Sequence, residues 1–158
     1  MYKRIFRSVC LTAFAVFIAS LALIMGMLYQ YFDGQLKEEI RTEANYLAHA
    51  VNISGEEYLT ELSPGDKRIT LIGADGTVLY DGNVNIGGLD NHGNRPEVQQ
   101  ALTEGVGQSV RRSDTMGQSA FYYALRLDDG MVLRVAKETS SIWRLFASAL
   151  PVVTQQRY

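Results

Sequence analysis

The stretch RITLIGADGTVLYD, residues 68–81, predicts a β-hairpin from which the rest of the fold can be built outward. Apolar residues recur with period two on both sides of Asp75 and Gly76. An Asp-Gly pair between two such runs is a strong signal for a tight turn. We therefore predict strands at 68–74 and 78–81, joined by a turn at 74–77.

Three further strands are predicted downstream, because the period-two pattern returns after a glycine-rich loop at 82–93. These strands cover residues 108–113, 119–127 and 131–137, with turns at 115–118 and 128–130. In the last two strands, apolar residues fill one face, whereas Arg126 and Arg134 occupy the other. Antiparallel sheets commonly bury one face and leave the other solvated, so we expect one buried and one partly polar face.

Two helices complete the predicted domain. Apolar residues at helical spacing predict an amphipathic helix over 33–51, whose weak point is Gly34 because glycine costs about 1 kcal/mol relative to alanine. Asn94 in an N-cap position, with Glu97 in the capping-box position, predicts a second helix over 95–103. The fold class is therefore α+β, with a five-stranded antiparallel sheet and a long N-terminal helix.

A membrane-spanning segment is predicted upstream of the amphipathic helix. Residues 8–32 contain no charged side chain and directly follow Lys3, Arg4 and Arg7. About 20 apolar residues cross the hydrocarbon core of a bilayer, and basic residues before a first span stay on the cytoplasmic side. The expected layout is a cytoplasmic basic tip at 1–8, a transmembrane helix at 9–32, continuous with the amphipathic helix, and an extracellular domain at 33–138.

A cleaved signal peptide is the alternative interpretation of the N-terminus. The apolar region of a signal peptide is about 7–15 residues long, whereas here the apolar character continues through residues 23–28. This length favours an uncleaved anchor in the plasma membrane. Residues 139–158 are also apolar in part, but Arg144 interrupts them, and we expect them to be the start of a truncated second transmembrane helix.

Charge and cysteine content exclude several classes of protein. All 17 acidic residues lie within residues 33–138, against 10 basic ones, so this region carries a net charge of −7. A nucleic-acid-binding surface needs clustered Lys and Arg, so we expect no nucleic-acid partner. The single cysteine, Cys10, excludes an internal disulfide framework.

Five segments in chain order resemble a known family. They are residues 72–81, 91–98, 111–117, 122–124 and 129–134. Together with the apolar N-terminus, they resemble the transmembrane anchor and extracytoplasmic PAS-like (single-Cache) sensor domain of sensor histidine kinases. The resemblance is to phosphate- and cell-wall-responsive kinases of Gram-positive, especially clostridial, type.

The resemblance implies parts that the sequence does not contain. They are a HAMP linker, a dimerising helix pair with the phosphoacceptor histidine, and a kinase domain that binds ATP and Mg. The expected partners are a second copy of the chain, paired through the membrane and N-terminal helices, membrane lipid and a cognate response regulator. No phosphoacceptor-box pattern or glycine-rich nucleotide signature occurs in residues 1–158, so we expect neither a cofactor nor a catalytic residue here.

A ligand pocket between the sheet and its covering helix is also implied by the resemblance. The candidate residues are Tyr80, Asn91, His92, Arg95, Arg111, Tyr122, Arg126 and Arg134. Arginines on neighbouring strands could converge on an anion such as a carboxylate or phosphate. The competing interpretation is cross-strand ion pairing on a solvated face, with Arg126 and Arg134 at the same relative position of the last hairpin.

The other candidates also have structural interpretations. His92 could report external acidity near its ordinary pKa of about 6.5. Alternatively, Asn91 and Asn94 could order the backbone while Arg95 pairs with a carboxylate, and the tyrosines could be core residues. We expect no metal site, because the chain has only two histidines, far apart in sequence, and the stretch from Asp81 departs from a calcium loop at two required positions.

Three functions remain open from the sequence. The first is the input part of a two-component sensor histidine kinase. The second is a membrane-tethered protein that captures an extracellular solute. The third is the input half of a chemoreceptor or diguanylate cyclase, because one sensor fold can serve different outputs.

Overall fold

A computed structural model describes residues 2–62, 65–112 and 119–138. The chain divides into two units, Met1–Gln35 and Leu36–Tyr158. The predicted second transmembrane segment at 139–158 and the predicted turn at 115–118 lie outside the described residues. The description below therefore concerns the N-terminal helical unit and the sheet-containing unit separately.

The N-terminal helix, α1, covers Tyr2–Ser54 as one element of 53 residues. The prediction that the apolar segment and the amphipathic helix are continuous is confirmed. The most apolar 18-residue window of α1 has a mean hydropathy of 2.5, and none of it is buried. Among the described residues, α1 is the one helix long and apolar enough to cross a membrane.

The sheet unit contains five antiparallel strands in the order β2-β1-β5-β4-β3. The strands are β1 Arg68–Ile72, β2 Val78–Asp81, β3 Val106–Arg112, β4 Ser119–Arg126 and β5 Val132–Glu138. The short helices are α2 Glu57–Thr60 and α3 Pro96–Glu104, with a 3-10 turn at Ile86–Gly88. The α+β class and the five-stranded antiparallel sheet are confirmed.

One face of the sheet packs against the second half of α1. The helix contributes Ile40, Ala44, Leu47 and Val51, all buried. The sheet contributes Leu71, Phe121, Tyr123, Leu125, Leu133 and Val135 to the same cluster. These side chains meet because they recur every three or four residues on the helix and every two residues on the strands. Their burial removes apolar area from water and so stabilises the unit.

The opposite face, which the sequence predicts to be partly polar, packs against α3. Ile72, Ala124 and Val132 on the strands form a second apolar cluster with Val98 and Ala101 of α3. The helix lies close to the sheet because β3 has a glycine at its second position. A Cβ atom on Gly107 would lie 1.9 Å from the carbonyl oxygen of Glu97.

The first turn of α3 also differs from the prediction. The helix begins at Pro96, the N-cap residue is Arg95, and no side chain caps this end. Asn94 is exposed, and the side chain of Glu97 is fully buried against the sheet rather than placed in a capping box. The local capping pattern was overridden because tertiary contacts offer the Glu97 carboxylate stronger hydrogen-bond donors.

The segments through which the chain enters and leaves the sheet unit lie side by side. Lys67 Nζ is 2.8 Å from Glu39 Oε1 of α1, and Lys137 Nζ of β5 is 3.8 Å from the same atom. Lys137 Nζ is also 2.7 Å from Asp66 Oδ2. The hydrogen bond from Lys67 lowers the pKa of Glu39, and that from Lys137 lowers the pKa of Asp66. Ion pairs therefore connect α1 to the end of the last strand.

Candidate functional site

A group of charged side chains, most of them buried, lies on the sheet face against which α3 packs. We call it the arginine cluster, and it consists of Arg68, Arg111 and Arg134 with the carboxylates of Asp81 and Glu97. Arg134 is 1% exposed, Arg68 is 4% exposed and Glu97 is fully buried. Charged side chains are rarely buried unless they are paired, because removing them from water is costly.

Glu97 is the acceptor at one end of the cluster. Ser109 Oγ donates a hydrogen bond of 2.6 Å to Glu97 Oε2. Arg111 Nη2 and Arg134 Nη1 both approach the other oxygen, Oε1, at 3.3 Å and 3.4 Å. Burial acts to raise the pKa of Glu97, but the hydrogen bonds from Ser109 and Arg111 oppose it, and the net pKa is lowered. Glu97 is therefore ionised at neutral pH.

Arg134 occupies the centre of the cluster. Its Nη2 donates to Thr70 Oγ1 at 3.1 Å. Its guanidinium carbon lies 5.3 Å from the centre of the Tyr122 ring, and that of Arg111 lies 4.2 Å from the same ring. Burial, together with the positive charges of Arg68 and Arg111, lowers the pKa of Arg134 to about 10, although Glu97 opposes this. Arg134 therefore remains protonated at neutral pH, in a cluster where three arginines outnumber two carboxylates.

Asp81 is the acceptor at the other end. Arg68 Nε lies 2.8 Å and 3.1 Å from its two oxygens, and Thr70 Oγ1 donates at 3.0 Å. The backbone amides of Asn83 and Val84 donate to Asp81 Oδ1 at 3.0 Å and 3.1 Å. Because Asp81 accepts from side chains and from the following loop, it holds Arg68 in place and orders the chain after β2.

Four buried nitrogen atoms of this region have no hydrogen-bond partner among the described residues. They are Arg68 Nη2, Arg111 Nε, Arg134 Nε and His92 Nδ1. Three arginines face two carboxylates in the cluster, so it has one excess positive charge. A buried donor without an acceptor costs free energy, which makes the cluster a candidate ligand site.

His92 is buried beside the cluster by a loop that contacts the β1–β2 turn. Its backbone amide donates to Gly76 O at 2.8 Å, and Asn91 Nδ2 donates to Asp75 O at 3.0 Å. Gly76 has a φ of 86°, and a Cβ atom there would lie 2.3 Å from Asn91 Oδ1. Asn91 therefore orders the backbone, as the structural interpretation proposed.

The possible titration of His92 near its ordinary pKa does not hold in the folded chain. The side chain is 5% exposed. Burial, followed by the positive charges of Arg134, Arg95 and Arg68, lowers its pKa to about 4, although Asp81 opposes the shift. His92 is therefore neutral over the physiological pH range.

The remaining predicted residues lie outside the arginine cluster. Tyr80 packs on the opposite face, in the core formed with α1. Arg126 is exposed, and its Nη1 donates to Leu102 O near the end of α3 at 2.7 Å. Arg95 is the N-cap residue of α3. Arg126 and Arg134 do not occupy equivalent positions, because Arg126 pairs with Val132, two residues before Arg134.

The structure therefore brings Arg111, Tyr122 and Arg134 together, with His92 beside them. Sequence reasoning missed Arg68, Asp81 and Glu97 as members of the same site. A signal for Arg68 exists, because period-two alternation places it on the same strand face as Thr70, which contacts Arg134. The role of Glu97 had no local signal, since it depends on how α3 docks.

No metal centre is indicated in the part of the chain that the structure describes. Within residues 2–62, 65–112 and 119–138, no group of three or more His, Cys, Asp or Glu side chains could hold a metal ion. The arginines of the cluster can donate hydrogen bonds, supply positive charge and make cation–π contacts with Tyr122.

Comparison with known proteins finds similarity among solved structures. No family model and no curated protein matches the chain. A solved structure described as the "extracellular domain of the putative histidine kinase rpHK1S-Z16" is similar with a TM-score of 0.43 and 20% identity. The similarity covers 63% of this chain and 39% of that one.

Proposed function

We propose that the chain is the signal-input part of a membrane sensor protein. The observation that carries the proposal is the extent of α1, which contains both the apolar segment and the four buried core positions of the sheet unit, Ile40 to Val51. A helix of this kind connects the state of a folded domain directly to a membrane segment. Helix shifts of about 1–2 Å are part of the known repertoire of allosteric transitions.

The proposed orientation places the N-terminus in the cytoplasm and the sheet unit outside the cell. Lys3, Arg4 and Arg7 precede the apolar segment, and basic residues near a first span remain cytoplasmic. All 17 acidic residues of the chain follow the apolar segment, within residues 33–138. The protein would therefore be located in the plasma membrane and would detect an extracellular stimulus.

The proposed output is a cytoplasmic histidine kinase of a two-component system. The ordered segments that resemble PAS-like sensor domains of such kinases support this assignment. In this arrangement, ATP, Mg and the response regulator belong to the kinase part, and two copies of the chain pair through their membrane and N-terminal helices. A chemoreceptor or cyclase output would use the same input unit.

The signal route that we propose runs along β5 to α1. Arg134 of the arginine cluster and Lys137 lie three residues apart on β5. Lys137 contacts Glu39 of α1 and Asp66. A displacement of β5 at the cluster would therefore reach the ion pairs next to the segment that leads to the membrane.

An alanine-insertion series tests the helical relay. Residues 1–138 are joined to the second transmembrane helix and the cytoplasmic part of a histidine kinase of known activity, and one to four alanines are inserted between Phe32 and Asp33. Each alanine rotates the helix by about 100° and lengthens it by about 1.5 Å. We expect autophosphorylation in vesicles to change with a period of about 3.6 residues.

A matched control is the same insertion series in the exposed 3-10 turn Ile86–Gly88, which should leave autophosphorylation unchanged. Autophosphorylation that is equal across the series at Phe32 would refute the relay. In that case a tethered binding protein, with no output through the membrane, would be the better assignment.

A further inference from the structure

Two lysines lie opposite each other where the core between the sheet and α1 ends. Lys137 lies two residues after Val135 on the β5 face that packs in this core. Lys67 directly precedes β1. Arg68 of β1 pairs with Ala136 of β5, so the same register places the two lysines opposite each other. Like charges in this arrangement destabilise a sheet, so the lysines need carboxylates close to them.

The helix α1 supplies the carboxylate that the two lysines share. Glu39 Oε1 lies 2.8 Å from Lys67 Nζ and 3.8 Å from Lys137 Nζ. Glu43, one helical turn further along α1, accepts a second hydrogen bond from Lys67. Asp66 Oδ2 lies 2.7 Å from Lys137 Nζ. We call these five side chains the ionic clasp, because their alternating charges join α1, the segment before β1 and the end of β5.

Two carboxylates of the clasp are much more exposed than its lysines. The side chains of Lys67 and Lys137 are 11% and 16% exposed, whereas those of Glu39 and Asp66 are 55% and 69% exposed. Burial acts to lower the pKa of Lys67, but the hydrogen bonds to Glu39 and Glu43 raise it overall, so Lys67 is charged at neutral pH.

Dissolved salt acts unequally on these charges. The Debye length falls from about 10 Å at 0.1 M salt to about 3 Å at 1 M, and charges that are partly buried are screened less than exposed ones. Added salt therefore weakens the attraction of Glu39 and Asp66 for the lysines. The pairing of β1 with β5 meanwhile keeps the two lysines next to each other.

We infer that the ionic clasp is a salt-sensitive latch, which holds the end of β5 against α1 at low external ionic strength and releases it at high ionic strength. Release would loosen β5 from the part of α1 that leads to the apolar segment, while the buried positions from Ile40 to Val51 keep the unit folded. The inference deepens the proposed function and rests on it, because it names ionic strength as a stimulus of the input unit.

Amide hydrogen exchange on the full chain in non-ionic detergent micelles tests the latch, because exchange reports local opening. Exchange is compared at about 0.1 M and about 1 M NaCl, which span the change in Debye length, and in sucrose of equal osmolality. The exposed 3-10 turn Ile86–Gly88 gives the effect of salt on the intrinsic exchange rate. The strand β3, which lies at the far edge of the sheet from β2, reports any opening of the whole unit.

The expected result is faster exchange in NaCl at the start of β1 and the end of β5, with no change in β3 and none in sucrose. One exposed ion pair changes an equilibrium by about 1.5- to 5-fold, so weakening several should speed exchange by about 2- to 10-fold. Glu39→Gln should speed exchange already at low salt and reduce the salt dependence, because it removes the contacts with both lysines.

The matched control is Glu38→Gln. This substitution removes a similarly exposed negative charge from the same turn of α1, but the ion pair of Glu38 is with Arg41 of the same helix. The salt dependence of exchange should therefore remain as in the wild type. Three results would overturn the inference: exchange at the clasp that does not change with NaCl, an equal change in β3, or an undiminished salt dependence in Glu39→Gln.

The kinase chimaera separates this inference from the proposed function. Salt is added on the side of the membrane that carries the sheet unit. Salt-dependent exchange with salt-independent autophosphorylation would refute ionic strength as a stimulus. Insertion-dependent autophosphorylation with salt-independent exchange would refute the clasp alone, and autophosphorylation that ignores the insertions would refute the proposed relay.

Discussion

Acidification should destabilise the sheet unit through His92 before it affects the carboxylates. The pKa of His92 is lowered to about 4 in the folded chain, against about 6.5 for an ordinary histidine. The unfolded chain therefore binds a proton below pH 6.5, and the folded chain does so only near pH 4. By proton linkage, stability is complete above pH 6.5 and falls between pH 6.5 and 4.

The size of this effect follows from the two pKa values. Between pH 7.5 and pH 5, proton binding lowers the free energy of the unfolded chain by about 2 kcal/mol and hardly changes that of the folded chain. Glu39, Asp66 and Glu97 also have a lowered pKa in the folded chain. Their stabilising contribution is lost mainly below pH 5, because the ordinary carboxyl pKa is about 4. The groups that act on His92 are Arg134, Arg95, Arg68 and Asp81.

Urea unfolding of the full chain in detergent micelles, followed by near-ultraviolet circular dichroism of the tyrosines, measures the effect. With a slope of about 1–2 kcal/mol per molar urea, the midpoint should fall by about 1–2 M from pH 7.5 to pH 5. His92→Gln removes the titrating group and should flatten this dependence. The control is His49→Gln, because the other histidine of the chain is exposed on α1. An equal pH dependence in the wild type and in His92→Gln would refute the reasoning.

Three further predictions concern glycine and asparagine positions. Gly107→Ala should unfold the sheet unit, because the new Cβ would lie 1.9 Å from the carbonyl oxygen of Glu97, whereas Gly88→Ala, with open space around it, should retain the native circular dichroism spectrum. Asn91→Ala should cost about 1–2 kcal/mol in urea unfolding, because it removes the hydrogen bond that Asn91 Nδ2 donates to Asp75 O of the β1–β2 turn and the one that Asn91 Oδ1 accepts from Gly93 N within the loop; an unchanged midpoint would contradict this role. Gly34→Ala should stabilise α1 by about 1 kcal/mol, since nothing lies within 4 Å of the added Cβ, and slower amide exchange around residue 34 would show it.

Local sequence patterns predict the helices and strands of this fold. The Asp75-Gly76 turn and the period-two runs identify the β1–β2 hairpin and the other strands, and helical spacing identifies the buried face of α1. The burial of the second face was not predictable in the same way. It depends on α3 docking over Gly107, which is a contact between segments with no shared local signal.

The arginine cluster illustrates the same limit at the level of single residues. Arg111, Tyr122 and Arg134 could be proposed from the sequence because they lie on neighbouring strands of one predicted face. Glu97 has a local pattern that predicts a capping box, but donors on three other strand positions decide where its side chain lies. The pKa of His92 depends likewise on residues distant in sequence, so only the assembled structure reveals it.

Glu39 Oε1 on α1 and Lys137 Nζ on β5 lie 3.8 Å apart. The chain therefore enters and leaves the sheet unit at neighbouring positions. A folded unit whose two ends meet at one spot can be inserted into a host protein that supplies only two neighbouring attachment points. Gene recombination can therefore transplant the whole unit into unrelated parent proteins without rerouting the backbone.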